Sequence, residues 1–142
     1  MLALSSYLLA DKEAPISPER LTEQSELVVQ GKVASVVRVK EEAIASEKQG
    51  LDPVHVEYYE ARVDVTAFEK RGKSLADYKN RIVLVKYKCV TDPRYKGEVI
   101  PKMEKGHTYL IYGRTVRLDA DGMAVIFVNS SRELYKIEQI QK

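Results

Sequence analysis

Two short segments of the chain combine basic and aromatic side chains in a way that could hold an anionic partner. They comprise Lys86, Tyr87 and Lys88 in one segment and Arg94, Tyr95 and Lys96 in the other. Basic side chains pair with phosphate or carboxylate groups, and a tyrosine ring can stack on a nucleic-acid base for about 1–3 kcal/mol. Tyrosine is equally suited to structure, because a strand can bury the ring and leave the hydroxyl in water. These six residues are the candidate ligand-binding residues, although the small net charge favours the structural role for the tyrosines.

Other residue types give little support for catalysis or metal binding. The single cysteine, Cys89, excludes an internal disulfide and a multi-cysteine zinc site. It alternates with Val85 and Tyr87 along a predicted strand, so we expect a buried, unreactive thiol. His55, in a charged loop margin, and His107, in a turn, are a weak zinc signal and are expected to be surface residues. Since no catalytic triad, phosphate loop or pocketed carboxylate pair is recognisable, we expect no enzyme activity, catalytic residue, metal or cofactor.

Length and charge narrow the choice of partner. A chain of 142 residues with 44% hydrophobic and 31% charged residues is expected to fold as one globular domain. The net charge of +2 is too small to indicate nucleic acid as the partner. Residues 41–69 are predominantly acidic and residues 70–106 predominantly basic. This asymmetry indicates either attraction between neighbouring strands or a basic ligand-binding face. No apolar run approaches the roughly 20 residues of a transmembrane helix.

The elements that must position these residues are mainly strands. Alternating or continuous apolar residues predict five of them: Leu27–Val39, Val54–Phe68, Arg81–Val90, Tyr109–Leu118 and Met123–Val128. Gly31 inside the first strand indicates a bulge or sharp coiling. A short helix is predicted near each end. The first begins at Pro18 and is capped by Ser17, and the second spans 130–140, with Leu134, Ile137 and Ile140 on one face.

The connections between the strands are polar and rich in glycine and proline. Residues 41–53 are expected to form a long mobile connection and residues 91–105 a loop. Residues 70–80 predict a basic turn containing one helical turn capped by Ser74. Asp119-Ala-Asp-Gly122 is expected to be a hairpin turn rather than a calcium loop, because further ligands and the terminal glutamate are missing.

The order of these elements lacks the strand–helix–strand rhythm of a parallel sheet. The fold prediction is therefore mainly all-β, a five-stranded antiparallel barrel of the oligonucleotide/oligosaccharide-binding (OB) type with short flanking helices. Residues 1–16 form an N-terminal extension and residues 17–142 the single domain. The apolar opening lacks a basic residue before Lys12 and could be a trimmed signal, a strand start or the true start.

Three segments of the chain resemble netrin-like domains. Residues 25–33 (SELVVQGKV) are similar to their first strand, and residues 63–72 (VDVTAFEKRG) to their second. Residues 106–113 (GHTYLIYG), followed by residues 121–126 (DGMAVI), resemble a stretch of the tissue inhibitors of metalloproteinases. Together these segments extend over about residues 17–137 in the expected order. The resemblance implies an OB-type fold.

The resemblance implies less about activity than about the fold. Inhibitors of that family place an N-terminal cysteine over the protease zinc, whereas the only cysteine of this chain is Cys89, in mid-chain. Protease inhibition by that geometry is therefore not expected. The family is typically secreted, periplasmic or surface-attached and binds other proteins. Our first hypothesis is accordingly a non-enzymatic binding module outside the cytoplasm, with a protein or surface polymer as partner. The alternative is a cytoplasmic OB domain that binds single-stranded nucleic acid through the six candidate residues.

Overall fold

Strands make up most of the described residues, as the hydrophobic pattern predicts. The computed structural model describes residues 16–45, 53–93, 95 and 97–137. The helix is α1 (Pro18–Gln24), and the strands are β1 (Leu27–Ala45), β2 (Pro53–Arg71), β3 (Ile82–Val90), β4 (Thr108–Gly113), β5 (Val116–Leu118), β6 (Ala124–Phe127) and β7 (Leu134–Ile137). All seven strands belong to one mixed sheet. No helix in the described part of the chain is long and apolar enough to cross a membrane.

The helix α1 confirms the predicted N-terminal helix. Ser17 caps it, since its hydroxyl oxygen accepts a hydrogen bond from the Arg20 N–H at 3.1 Å, and Pro18 occupies the first turn. The buried Leu21 packs with Val28 and Tyr112 in a small apolar cluster on the sheet. Of the predicted extension 1–16, only Ile16 is described, and it packs against this cluster.

The strands β1 and β2 form a long antiparallel ladder that begins in the core and becomes more exposed along β1. At Gly31 the predicted irregularity is confirmed by a register shift between Gln30 and Gly31. A side chain there would collide with the Val63 side chain, because a Cβ would lie 2.5 Å from Val63 Cγ1. Beyond residue 33 the positions of β1 become more exposed, while Val54, Val56 and Tyr59 of β2 stay buried; we call residues 35–45 and 53–60 the arm. The connection predicted over 41–53 is thus partly strand, and residues 46–52 lie outside the described residues.

The prediction of a five-stranded antiparallel closed barrel is wrong in three respects. The sheet has seven strands in the order β5-β6-β3-β2-β1-β4-β7, β3 pairs with β6 in parallel, and the sheet is not closed into a barrel. The strand predicted over 109–118 breaks after Gly113, so that β5 lies at one end of the strand order and β4 lies next to β7 at the other. A Cβ at Gly113 would lie 2.9 Å from the Leu27 carbonyl oxygen, which shows how tightly the chain passes β1 at this break.

The end of the described chain adds a strand instead of the predicted helix. The helix predicted over 130–140 is absent from the described residues, where a 3-10 turn (Ser131–Glu133) leads into β7. This strand pairs with β4 from Leu134↔Ile111 to Ile137↔Thr108 and forms one edge of the sheet. Tyr135 packs edge-on against Tyr112, with ring centroids 5.9 Å apart. Tertiary pairing therefore overrides the helical spacing that Leu134 and Ile137 share with Ile140, which is not described.

Two predicted turns have different outcomes. The hairpin turn before β6 is confirmed, because Asp119 accepts hydrogen bonds from the Asp121 and Met123 N–H groups and Gly122 adopts a φ of 78°. The predicted Ser74 cap is wrong. The 3-10 turn Lys73–Leu75 has no side-chain cap, and the Ser74 hydroxyl donates instead to Glu26 Oε1.

Candidate functional site

A groove of about 560 Å³ lies where β6 leaves the edge of β3. It brings together three of the six candidate residues, Lys86, Tyr87 and Lys88. The other lining residues come from the arm, the β3–β4 connection and the end of β6: Val39, Tyr58, Ile100, Phe127, Val128 and Asn129. The groove thus combines a largely apolar wall with two lysines.

Alternation along β3 decides what each of its residues contributes. Lys86 and Lys88 are exposed on the outer face, whereas Tyr87 is buried. The ring of Tyr87 stacks on Tyr59 with centroids 5.6 Å apart, and its hydroxyl oxygen accepts the Met103 N–H at 2.7 Å. Burial raises the pKa of Tyr87 strongly. Tyr87 therefore supports the groove wall, and its ring faces are not available for stacking on a base.

Of the second candidate segment, the structure describes only Tyr95. Arg94 and Lys96 lie outside the described residues. Tyr95 is half-buried in the β3–β4 connection, where its N–H donates to the Asp92 carbonyl at 3.0 Å. Tyr95 is not among the residues that line the groove.

The open edge of β3 is the main structural feature of the groove. The ladder between β3 and β6 ends at Lys86↔Phe127, and the Val128 N–H donates to the Lys86 carbonyl at 2.9 Å. Backbone groups two residues apart on a strand point to the same side. The N–H and C=O of Lys88 therefore face the side that β6 has left, and no described residue of β6 pairs with them. An extended chain could pair with this edge.

Charges on the outer face are partly balanced within the protein. Lys86 Nζ lies 3.7 Å from Glu60 Oε2, and Lys40 Nζ lies 3.4 Å from Glu42 Oε1. Contacts between the acidic β2 and basic β3 therefore include the strand attraction expected from the sequence. Among the described residues, no ion pair involves Lys88, although its charge is close enough to help lower the pKa of Glu42. Lys88 is thus the better placed of the two groove lysines to meet an anionic ligand.

Tyr58 links the arm to the groove. Its hydroxyl donates to Glu42 Oε2 at 2.5 Å, and this hydrogen bond raises the pKa of Tyr58 and lowers that of Glu42. The Lys40 ammonium lies 5.2 Å from the Tyr58 ring centroid. On the opposite wall of the groove, the Arg117 guanidinium lies 5.4 Å from the ring centroid of Phe127. Each aromatic ring of the outer face thus already has a cation on it.

Buried polar contacts fix the wall formed by the end of β6. Glu133 is only 2% exposed, and it accepts the Arg114 Nε–H at 2.7 Å and the Asn129 N–H at 2.8 Å. The β3–β4 connection is fixed at Glu98, whose carboxylate accepts hydrogen bonds from Ser130 and from the N–H and hydroxyl of Ser131. These contacts hold the two connections that supply Ile100 and Asn129.

Cys89 lies on the opposite, buried side of β3. Its thiol donates to the Ile100 carbonyl at 3.0 Å, and burial raises its pKa to about 11. The prediction of a buried cysteine is confirmed. A thiol with this pKa is a poor nucleophile at neutral pH, so Cys89 serves packing rather than chemistry.

On that same side, the arm brings together residues that the sequence left scattered. His55 lies within β2, not in a loop margin, and one donor atom each of Glu41, His55 and Glu57 lie within 4.8 Å of one another. These three residues could hold a metal ion. His107 has a single acidic neighbour in the described chain, Glu104, at 3.6 Å.

Most of the groove could not have been found from the sequence. Val39 offers a weak signal, as an apolar residue at the point where a predicted strand becomes charged. Asn129 and Ile100 offer none, because their positions depend on Glu133 and Glu98 in distant segments. No family model matches this chain, and no curated protein matches it. The netrin-like resemblance therefore stays a prediction.

Proposed function

We propose that this protein is a non-enzymatic binding module that holds an extended acidic segment of a partner protein in the β3 groove. The observation that carries this proposal is the open backbone edge at Lys88, next to an apolar wall. An added strand gains main-chain hydrogen bonds from such an edge, and its alternate side chains enter the neighbouring pocket. Lys86 and Lys88 then select acidic side chains on the ligand.

The proposed architecture is that of a partly open OB-type barrel. In its support, β1, β2 and β3 are neighbours in order, and only Arg114 and Thr115 separate β4, second from one end of the strand order, from β5 at the other end. OB domains bind their ligands on the face of the second and third strands. The groove lies on the outer face of β3 beside β2, which fits that arrangement. Action outside the cytoplasm is part of the proposal and rests on the netrin-like resemblance alone.

Single-stranded nucleic acid is the second candidate ligand, favoured by two lysines close to Tyr58 and Phe127. Base stacking needs open aromatic faces, whereas Lys40 and Arg117 already lie over these two rings. Glu60 also partly neutralises Lys86. The same lysines could meet an anionic surface polymer, but the open backbone edge favours a peptide over both.

The test is binding of short fluorescein-labelled probes followed by anisotropy. The main probe is a peptide in which glutamate alternates with leucine or phenylalanine. The comparison probes are its glutamine-substituted counterpart, oligothymidylate and an acidic polysaccharide. We expect the acidic peptide to bind best. The double variant Lys86→Glu/Lys88→Glu is expected to weaken that binding by roughly tenfold or more.

The matched control carries the same charge change elsewhere. Lys73 and Lys79 are exposed and lie outside the groove, so Lys73→Glu/Lys79→Glu is expected to leave peptide binding unchanged. Equal losses in both double variants would contradict the groove and indicate a general charge effect. Tighter binding of oligothymidylate, with affinity falling steeply as salt rises, would favour the nucleic-acid candidate.

A further inference from the structure

Two carboxylates stand opposite each other across the strands of the arm, on the same side of the sheet as Cys89. Glu41 of β1 and Glu57 of β2 are direct cross-strand partners. His55 lies two residues before Glu57 and therefore shares its face of the sheet. Like charges directly opposite each other on neighbouring strands are destabilising unless a cation lies between them.

Arg38 supplies part of that positive charge. Its guanidinium nitrogens lie 3.3 Å from Glu41 Oε2 and 3.3 Å from Glu57 Oε2. The second nitrogen partner is His55, whose Nε2 lies 3.3 Å from Glu41 Oε1 and 3.3 Å from Glu57 Oε2. Glu41 therefore has one oxygen on Arg38 and the other on His55, while a single oxygen of Glu57 meets both.

We propose that Glu41, His55 and Glu57 form a binding site for a divalent transition-metal ion, and that zinc is the metal they suit best. Zinc takes imidazole nitrogen and carboxylate oxygen at about 2.0–2.2 Å in tetrahedral geometry, which places neighbouring ligand atoms about 3.4 Å apart. The two separations from His55 Nε2 already have nearly this length. Three protein ligands leave the fourth position to water.

Contacts around Glu57 prepare it for this role. Tyr59 donates its hydroxyl hydrogen bond to Glu57 Oε1, which leaves Oε2 directed at His55. A hydrogen bond of this kind orients a ligating carboxylate in metal sites. Only 17% of the Glu57 side chain is exposed, against 44% for His55 and 49% for Glu41, so an ion could enter from the solvent side. Calcium and magnesium fit poorly, because they prefer six or more oxygen ligands or several retained waters.

The Arg38 guanidinium would compete with a metal ion at this site. An ion between the two carboxylates would share Glu57 Oε2 with the Arg38 guanidinium, whose positive charge repels it. Removal of the arginine should therefore strengthen metal binding. In a merely structural ion-pair cluster, the same removal would only weaken the cluster.

Calorimetric titration of the chelator-treated full chain with Zn²⁺ tests this proposal, and Co²⁺ absorption serves as a report on coordination geometry. We expect one ion per chain and a tetrahedral Co²⁺ spectrum. The variants His55→Gln and Glu41→Gln are each expected to weaken binding by roughly tenfold or more, and Tyr59→Phe by roughly tenfold. Arg38→Gln is expected to tighten it.

His107→Gln is the matched control, because His107 is similarly exposed and has only Glu104 beside it. It is expected to leave the affinity unchanged. Failure of the unmodified chain to bind Zn²⁺, or equal losses in His107→Gln and His55→Gln, would overturn the proposal. Weaker binding in Arg38→Gln would overturn the competition between guanidinium and metal. Circular dichroism of each variant verifies that the arm substitutions leave the fold intact.

Discussion

The two halves of the β1–β2 ladder are built from the same backbone pairing but stabilised in different ways. In the inner half, Leu27, Val33 and Val63 are at most 1% exposed and belong to the main core cluster. In the arm, Val37 and Val39 are 55% and 59% exposed. At these exposed positions of β1 cross-strand polar contacts take the place of burial, whereas Val54 and Val56 of β2 remain buried. Full burial of such a side chain contributes about 1.5–3 kcal/mol, whereas an exposed pair contributes about 1 kcal/mol or less.

Because of this difference, the arm is the part of the ladder that can accommodate a ligand. The inner half cannot change without loss of packing, so its residues serve the fold. The arm depends on individual contacts that a ligand or metal could replace. Its outer face contributes Val39 and Tyr58 to the groove, and its other face holds the cluster around His55.

The largest expected effect comes from the inner half. Leu27→Ala leaves a cavity in a fully buried position and should lower the free energy of unfolding by about 2–5 kcal/mol. Urea denaturation measures this difference. A loss below about 1 kcal/mol would contradict the assignment of this half to the core.

The next effect concerns the wall of the groove. Glu133→Gln keeps the shape of the side chain but removes the carboxylate that accepts from Arg114 and Asn129. We expect the free energy of unfolding to fall by about 1–3 kcal/mol, because the Arg114 guanidinium loses its charged hydrogen-bond partner in a largely buried place. Peptide affinity should fall as well. Ser131→Ala, which removes one contact to Glu98 nearby, serves as the milder comparison.

A smaller effect is expected within the arm at alkaline pH. The hydrogen bond to Glu57 raises the pKa of Tyr59 to about 12 from 10. The neutral phenol therefore contributes stability that is fully present below pH 10 and lost as the pH rises through 12. Tyr59→Phe should cost about 1 kcal/mol at neutral pH.

The tyrosine variant also gives the pH comparison. Between pH 10 and 12 the unmodified chain should lose part of its advantage over Tyr59→Phe. Unfolding measured for both chains, in chelator, isolates this contribution from other groups that titrate there, such as Cys89. A constant difference across that range would contradict the role of the Tyr59–Glu57 hydrogen bond.

The smallest effect on stability is expected at Val39. Because this side chain is mostly exposed, Val39→Ser should change the free energy of unfolding by less than about 0.5 kcal/mol. Affinity for the acidic peptide should nevertheless fall, since Val39 lines the groove. A large loss of stability would show that the arm is held by packing and would remove the contrast between the two halves.

The sequence predicted those features that depend on local chemistry. Ser17 and Pro18 mark the helix start, Asp119 and Gly122 mark the hairpin, and the alternation around Cys89 marks its burial; the structure confirms all three. Features that depend on distant partners were missed. Leu134 and Ile137 have helical spacing, yet they pair with β4, and the sheet is not closed into a barrel.

The candidate site shows the same division between features set by local sequence and features set by distant partners. Lys86 and Lys88 are identifiable from the alternating basic strand, and the structure places both on the groove. The stacking role considered for Tyr87 depended on an exposed ring, whereas its ring packs on Tyr59 in the core, in line with the structural role. The cluster of Glu41, His55 and Glu57 depends on the register of the arm, which no local pattern specifies.

The most direct test of the central claim is hydrogen exchange at the Lys88 amide, followed by NMR with and without the acidic peptide. The account predicts that the peptide slows exchange at Lys88, because an added strand accepts that N–H. The amides of Lys73 and Lys79, away from the groove, should be unaffected. If the peptide binds while exchange at Lys88 stays unchanged and slows elsewhere, for example along β7, the β3 groove is not the binding surface.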